Sequence, residues 1–206
     1  MSRIAEIMTL APVIPVLVIE EVTHARPVAE ALVAGGLRAL EVTLRTPAAL
    51  EAIREMARVE GAVVGAGTVL NAATLEAARE AGARFAVSPG LTEPLARAAE
   101  DLHIPLLPGV ATAGDIMRGL DLGLTHFKFF PAMAAGGVPA LKALTGPFAE
   151  TRFCPTGGVT LANAPEWLAL EQVLCVGGTW LVPKGEPDTG AIRRAAEQAA
   201  AMRPAG

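Results

Sequence analysis

The sequence predicts an α/β fold, a closed (β/α)8 barrel built as one domain over residues 1–206, and three observations carry that expectation. Short apolar runs alternate with Ala-, Glu-, Arg- and Leu-rich segments of helical spacing, the pattern of repeated βα units on a parallel sheet. The runs number eight, at residues 13–19, 37–44, 62–68, 83–88, 104–108, 126–130, 151–154 and 172–176. The 206-residue length leaves roughly 26 residues per unit, enough for a trimmed barrel and too few for long lids or a second domain. An open, doubly wound sheet is the structural rival, because periodicity alone does not reveal closure.

Composition supports a packed core and narrows the partners. Hydrophobic residues make up 52% and charged residues 18%, which excludes a disordered tail or a repetitive fibre. With 17 Lys and Arg against 21 Asp and Glu and no basic block, neither nucleic acid nor a membrane surface is an expected partner, and small molecules are. Cys154 and Cys175 lie outside any Cys-x-x-Cys or Cys/His cluster and read as buried thiols of a reducing compartment. The apolar stretch 7–19 contains two prolines, is too short to span a bilayer and is flanked by Glu6, Glu20 and Glu21, so a cytoplasmic protein is expected.

Taken in order, each unit has a reason. Gly35 and Gly36 stand between a helix and the second run, where glycine ends a helix in a left-handed turn. In the second run Glu41, Thr43 and Arg45 share one parity and Leu40, Val42 and Leu44 the other, so polar groups face the lumen. Glu41 and Arg45 form either a structural ion pair or, beside a reactive lysine, a proton-transfer group and a clamp for a carboxylate. The third run ends Gly65-Ala66-Gly67-Thr68, whose small side chains leave room for a ligand near the Thr68 hydroxyl. Leu70 breaks the dinucleotide-binding glycine pattern there. The fourth run closes on Ser88-Pro89-Gly90, a rigid turn able to pack on a small substrate. Helices follow at 46–59, 71–81, 92–102, 112–122, 138–144 and 161–170, several beginning with a Thr or Asn suited to N-capping.

The sixth run, His-Phe-Lys-Phe-Phe-Pro, contains Lys128, one of only three lysines. Alternation sends Phe127 and Phe129 toward the helices and leaves Lys128 in the lumen with His126 and Phe130. Desolvation there disfavours the ammonium form and yields an amine able to attack a carbonyl. A strand-end lysine reaching water or an anion is the other reading, and strand context leaves both open. After the seventh run come Thr156, Gly157 and Gly158, and after the eighth Gly177, Gly178 and Thr179. Either glycine pair alone can be a simple turn. Together they occupy the two loops where such barrels bind phosphate on backbone N–H groups. Gly136 and Gly137 read as loop flexibility, and His126 as a core histidine. Neither His24, His103 nor His126 has metal-ligand spacing, so neither a metal nor another cofactor is expected.

Six ordered blocks, AGGLRALEVTLRT (34–46), VGAGTVLN (64–71), VSPGLTEP (87–94), FKFFP (127–131), RFCPTGG (152–158) and VLCVGGTWLVP (173–183), closely resemble the 2-keto-3-deoxy-6-phosphogluconate aldolases, which often also act on 4-hydroxy-2-oxoglutarate. The resemblance implies a class I lyase in which Lys128 forms an imine with the substrate ketone and Glu41 transfers protons. It implies further that Arg45 and Thr68 hold the pyruvate carboxylate and that Pro89 and Phe130 line the pocket. Gly157, Gly158, Gly178 and Thr179 would receive the phosphate, and Thr156 would select the gluconate over the galactonate substrate. Thr179 stands where many members carry serine, and the loop 132–135 is more apolar than is usual in that family. Members are typically homotrimers. Two other functions compete: a phosphosugar isomerase or epimerase using Glu41 as an enolising base, and a non-catalytic phosphosugar-binding protein.

Overall fold

The computed structural model describes residues 3–202, so the ends of the expected domain range 1–206 lie outside the described residues. Its strands are β1 (Val13–Leu17), β2 (Ala39–Thr43), β3 (Val63–Gly67), β4 (Phe85–Val87), β5 (Leu106–Leu107), β6 (Gly109–Val110), β7 (His126–Phe129), β8 (Arg152–Pro155) and β9 (Val176–Gly178). Between and around them run α1 (Arg3–Met8), α2 (Val22–Ala34), α3 (Ala49–Ala57), α4 (Ala72–Glu80), α5 (Glu93–Asp101), α6 (Ala113–Asp121), α7 (Gly137–Thr145), α8 (Ala164–Leu168) and α9 (Thr189–Ala200).

All ladders are parallel and form two arcs, β5-β4-β3-β2-β1-β9 and β6-β7-β8. The arcs join at two seams, which closes the (β/α)8 ring. At one seam Pro108 splits the fifth run into β5 and β6: proline has no N–H for a ladder, while its carbonyl accepts from Lys128 N at 2.9 Å. Across the other seam two bridges close the ring: Phe153 of β8 with Val173, ahead of β9, and Thr156, just past β8, with Gly177 of β9. There the structure departs from the expected strand. The ladder against β1 pairs Val13 with Val176, Ile14 with Gly177 and Pro15 with Gly178, so the glycine pair lies in the strand and not in the loop after it. Glycine is needed here because a Cβ on Gly177 would stand 2.2 Å from Thr156 Oγ1, and one on Gly178 2.2 Å from the Trp180 ring.

Two hydrophobic layers hold the ring. The outer one packs the helices onto outward-facing strand residues; Phe129 meets Trp167 of α8 and Phe127 meets Phe153, each with ring centroids 6.1 Å apart. The inner one fills the lumen with Ile14, Phe85, Val87, Leu107, Cys154 and Cys175, and α1 plugs the amino-terminal end with Ile4, Ile7 and Met8. Phe85 reaches across because Gly65 has no Cβ, which would lie 2.4 Å from its ring. Beneath the ring, Gly36 supplies the expected left-handed residue (φ +95), whereas Gly35 lets α2 approach Ala196 of α9.

Capping follows chemistry in two of the expected places. Asn71 and Thr112 each accept from the N3 backbone of α4 and α6, with Thr74 and Asp115 returning bonds to complete capping boxes. Thr92 has the extended N-cap backbone without a side-chain bond, and α3 starts at Ala49 because the Thr46 hydroxyl donates instead to Ile19 O at 2.6 Å. No helix among the described residues is long and apolar enough to cross a membrane.

Candidate active site

The carboxyl ends of the strands converge on a cavity of about 320 Å³. From the inward parity of β2 come Glu41 and Thr43, with Arg45 in the turn beyond; β7 sends in Lys128 and, one step past its end, Phe130. Thr68, Pro89, Thr156, Gly157, Gly158 and Thr179 complete the set expected from the sequence, and Gly178 alone stands outside the lining. Its bare α-carbon is turned toward Trp180, and Gly177 faces the cavity in its place. A larger groove of about 560 Å³ opens on the opposite face between α5 and α6, lined by none of these residues.

At the centre Lys128 Nζ lies 3.2 Å from Glu41 Oε1, with side chains 7% and 4% exposed. The pair is 87 residues apart in sequence, and β2 and β7 lie on different arcs, so it exists only because the ring closes across the lumen. Glu41 can occupy this place because Gly67, on the neighbouring β3, has no side chain: a Cβ would stand 2.2 Å from Glu41 Oε1. The Phe130 ring covers Nζ from 5.2 Å. An amine held this way is shielded from bulk water and has a carboxylate within proton-transfer reach.

Arg45 stands exposed at the rim. Among the described residues no carboxylate is within ion-pair distance of it, so the structural pairing with Glu41 is not formed; its Nε donates to Thr43 Oγ1 at 3.2 Å. Thr68, just past the end of the neighbouring β3, has φ +59, a left-handed backbone that a β-branched residue rarely adopts. Across the cavity Gly157 and Gly158 have φ +100 and +77, and their N–H groups have no intramolecular acceptor among the described residues. Two adjacent N–H groups without a partner in the cavity wall are available to an anion. Thr156 is 4% exposed, and its hydroxyl bonds to Cys154 O at 3.4 Å.

The lumen below holds the two thiols, Cys154 and Cys175, among apolar side chains. A hydrogen bond with Cys154 that favours the protonated thiol, then burial, hold Cys175 well above the usual thiol range. His126 enters β7 at the other end, half-buried, bonded to Thr125 Oγ1 at 3.0 Å; burial, then Arg152, lower its pKa. Among the described residues no group of three or more His, Cys, Asp or Glu could hold a metal ion. Three lining residues escaped the sequence reading as site residues, Val16, Thr43 and Val159, while Gly177 was read there only as part of a phosphate loop. Thr43 shares the parity of Glu41 and was legible as lumen-facing; an apolar Val16 on an apolar strand carries no signal.

The chain is similar to known proteins over nearly its whole length. The family described as KDPG and KHG aldolase matches residues 4–195. A KHG/KDPG aldolase of Escherichia coli K12 is 57% identical over 185 residues, covering 89% of this chain and 87% of the relative. The crystal structure of the 2-keto-3-deoxy-6-phosphogluconate aldolase of Zymomonas mobilis ZM4 with 3-phosphoglycerate is 59% identical, covers 98% of each chain and superposes with a TM-score of 0.97. A KDPG aldolase of Legionella pneumophila, with pyruvate captured at low pH as a covalent carbinolamine intermediate, is 45% identical over 98% of each chain, with a TM-score of 0.91.

Proposed function

The chain belongs to the KDPG and KHG aldolase family, and on that premise we propose that it is a class I lyase cleaving 2-keto-3-deoxy-6-phosphogluconate to pyruvate and glyceraldehyde 3-phosphate, with Lys128 as the imine-forming amine. The observation that carries the reading is the buried 3.2 Å contact of Lys128 Nζ with Glu41 Oε1 inside the cavity. Glu41 takes a proton from Nζ, and the free amine adds to the C2 ketone to give a carbinolamine. Glu41 returns the proton to the departing hydroxyl, which leaves as water, and the iminium remains. As the substrate's C4 hydroxyl gives its proton to Glu41, the C3–C4 bond breaks and its electron pair passes to the iminium, leaving an enamine and free aldehyde. Protonation at C3 and hydrolysis release pyruvate and restore the lysine.

The remaining residues hold the substrate along the cavity. Arg45, with its guanidinium free of acidic neighbours, and the Thr68 hydroxyl take the carboxylate. Pro89 and Phe130 shape the apolar wall around the reacting carbons. The free N–H groups of Gly157 and Gly158, with the Gly178–Thr179 corner of β9, receive the phosphate; here Thr179 supplies the hydroxyl, while Gly178 serves by letting Trp180 pack close. Thr156, deep in the wall, reads the hydroxyl configuration that separates gluconate from galactonate substrates.

Cleavage of unphosphorylated 4-hydroxy-2-oxoglutarate to pyruvate and glyoxylate is the secondary activity of the same site. The chain works as one barrel domain in the cytoplasm, assembled as a homotrimer; its exposed Leu70, Met117, Met133 and Leu161 provide apolar surface for such contacts. The test is pyruvate release from the two substrates, compared as kcat/KM. The phosphorylated substrate is expected to win clearly. Equal values would remove the phosphate site from the account, and no release from either would remove the lyase.

A further inference from the structure

We infer that Thr43 is a positioning residue: its hydroxyl occupies Arg45 Nε and so fixes which edge of the guanidinium meets the substrate carboxylate. The inference rests on the reading of Arg45 as the carboxylate anchor. Thr43 is the last residue of β2, 2% exposed and turned into the cavity. Its hydroxyl proton is committed to Leu17 O on β1, at 2.9 Å. A hydroxyl has one proton and two acceptor lone pairs, so with the proton spent its remaining capacity is to accept. Arg45 Nε donates to it at 3.2 Å.

The surrounding backbone makes the arrangement stiff. Arg45 N donates to Thr43 O and Leu44 N to Gly67 O, both at 2.8 Å, and the Thr46 hydroxyl is tied to Ile19 O. The turn bearing Arg45 is thereby fastened to β1 and β3 on either side. An exposed arginine without an acidic partner would otherwise sample many rotamers. With Nε occupied, the pair of Nη groups at the far end is left to meet a planar carboxylate by two parallel N–H bonds. The carboxylate end of a 2-keto acid is therefore met end-on by a side chain whose orientation Thr43 sets.

The experiment measures half-saturation of borohydride trapping with pyruvate and with methyl pyruvate, which lacks the carboxylate charge, in Thr43→Val, Thr43→Ser and Arg45→Met. Thr43→Val should raise the pyruvate value about fivefold to tenfold and the methyl pyruvate value less than about twofold, with Thr43→Ser close to the parent. Should Thr43→Val fail to fold, Thr43→Ala removes the same hydroxyl and should give the same split. Equal shifts for both ketones, or no shift while Arg45→Met raises the pyruvate value, overturn the positioning role alone. An unchanged pyruvate value in Arg45→Met overturns the carboxylate reading of Arg45 as well.

Discussion

Replacing Gly67 by alanine reaches the proposed chemistry without substituting a reacting group. The new Cβ would lie 2.2 Å from Glu41 Oε1, 2.7 Å from its Cγ and 2.8 Å from its Cδ, whereas ordinary contact begins at 3.4 Å. The carboxylate oxygen must retreat by about 1.2 Å, and it cannot retreat toward Lys128 Nζ, already 3.2 Å away. A displacement of about 1 Å in a positioned catalytic group costs on the order of a hundredfold in rate, about 2.7 kcal/mol of barrier. The assay is pyruvate release from 2-keto-3-deoxy-6-phosphogluconate, coupled to reduction of the pyruvate, with the far-ultraviolet spectrum as a check on folding. Gly146→Ala serves as the control, because its Cβ would meet nothing closer than 3.7 Å on an exposed helix end. Loss of about a hundredfold in kcat for Gly67→Ala and none for Gly146→Ala is expected. Gly67→Ala activity within about threefold of the parent would refute the argument that Glu41 works from this position.

Gly177→Ala places a Cβ 2.2 Å from Thr156 Oγ1, so preference for the gluconate over the galactonate substrate should narrow, measured as the ratio of the two kcat/KM values; an unchanged ratio removes Thr156 as selector. Trp167→Ala opens a hole against Phe129 in the outer layer and should lower the free energy of urea unfolding by about 3–5 kcal/mol. Burial, and then Arg152, hold the folded-state His126 below the ordinary histidine value of 6.5, so the unfolded chain takes up this proton first as pH falls. The stability His126 contributes is present above pH 6.5 and is lost below it; between pH of about 7.5 and 5.5 the urea midpoint should fall further in the parent than in His126→Asn.

Much of the site is legible in the sequence because a strand has period two. In β7 the alternation separates Lys128 from Phe127 and Phe129, and in β2 it separates Glu41 and Thr43 from Leu40 and Val42; the structure keeps both divisions. Asn71 and Thr112 announce their helices because their side chains satisfy N–H groups at once and locally. What escapes depends on distant neighbours. The glycines of β9 look like a loop by composition, and only the approach of Thr156 and Trp180 explains them inside a strand. Helix α1, six residues long, is too short for a periodic signal and is defined by the lumen it plugs. Pro108 reads as the end of a run, whereas it is the corner at which one strand serves two arcs. No local pattern reveals that Gly67 is empty for the sake of Glu41, or that Thr68 takes a left-handed backbone.

The central claim is a covalent bond between one lysine and a 2-keto acid, and reductive trapping measures it directly. After incubation with pyruvate and borohydride, peptide mapping should find a single stable adduct per chain, on the peptide holding Lys128, and none in Lys128→Met, which should also be inactive. An adduct on Lys142 or Lys184, or full turnover without any adduct, would contradict the account and would favour an isomerase in which Glu41 acts as an enolising base.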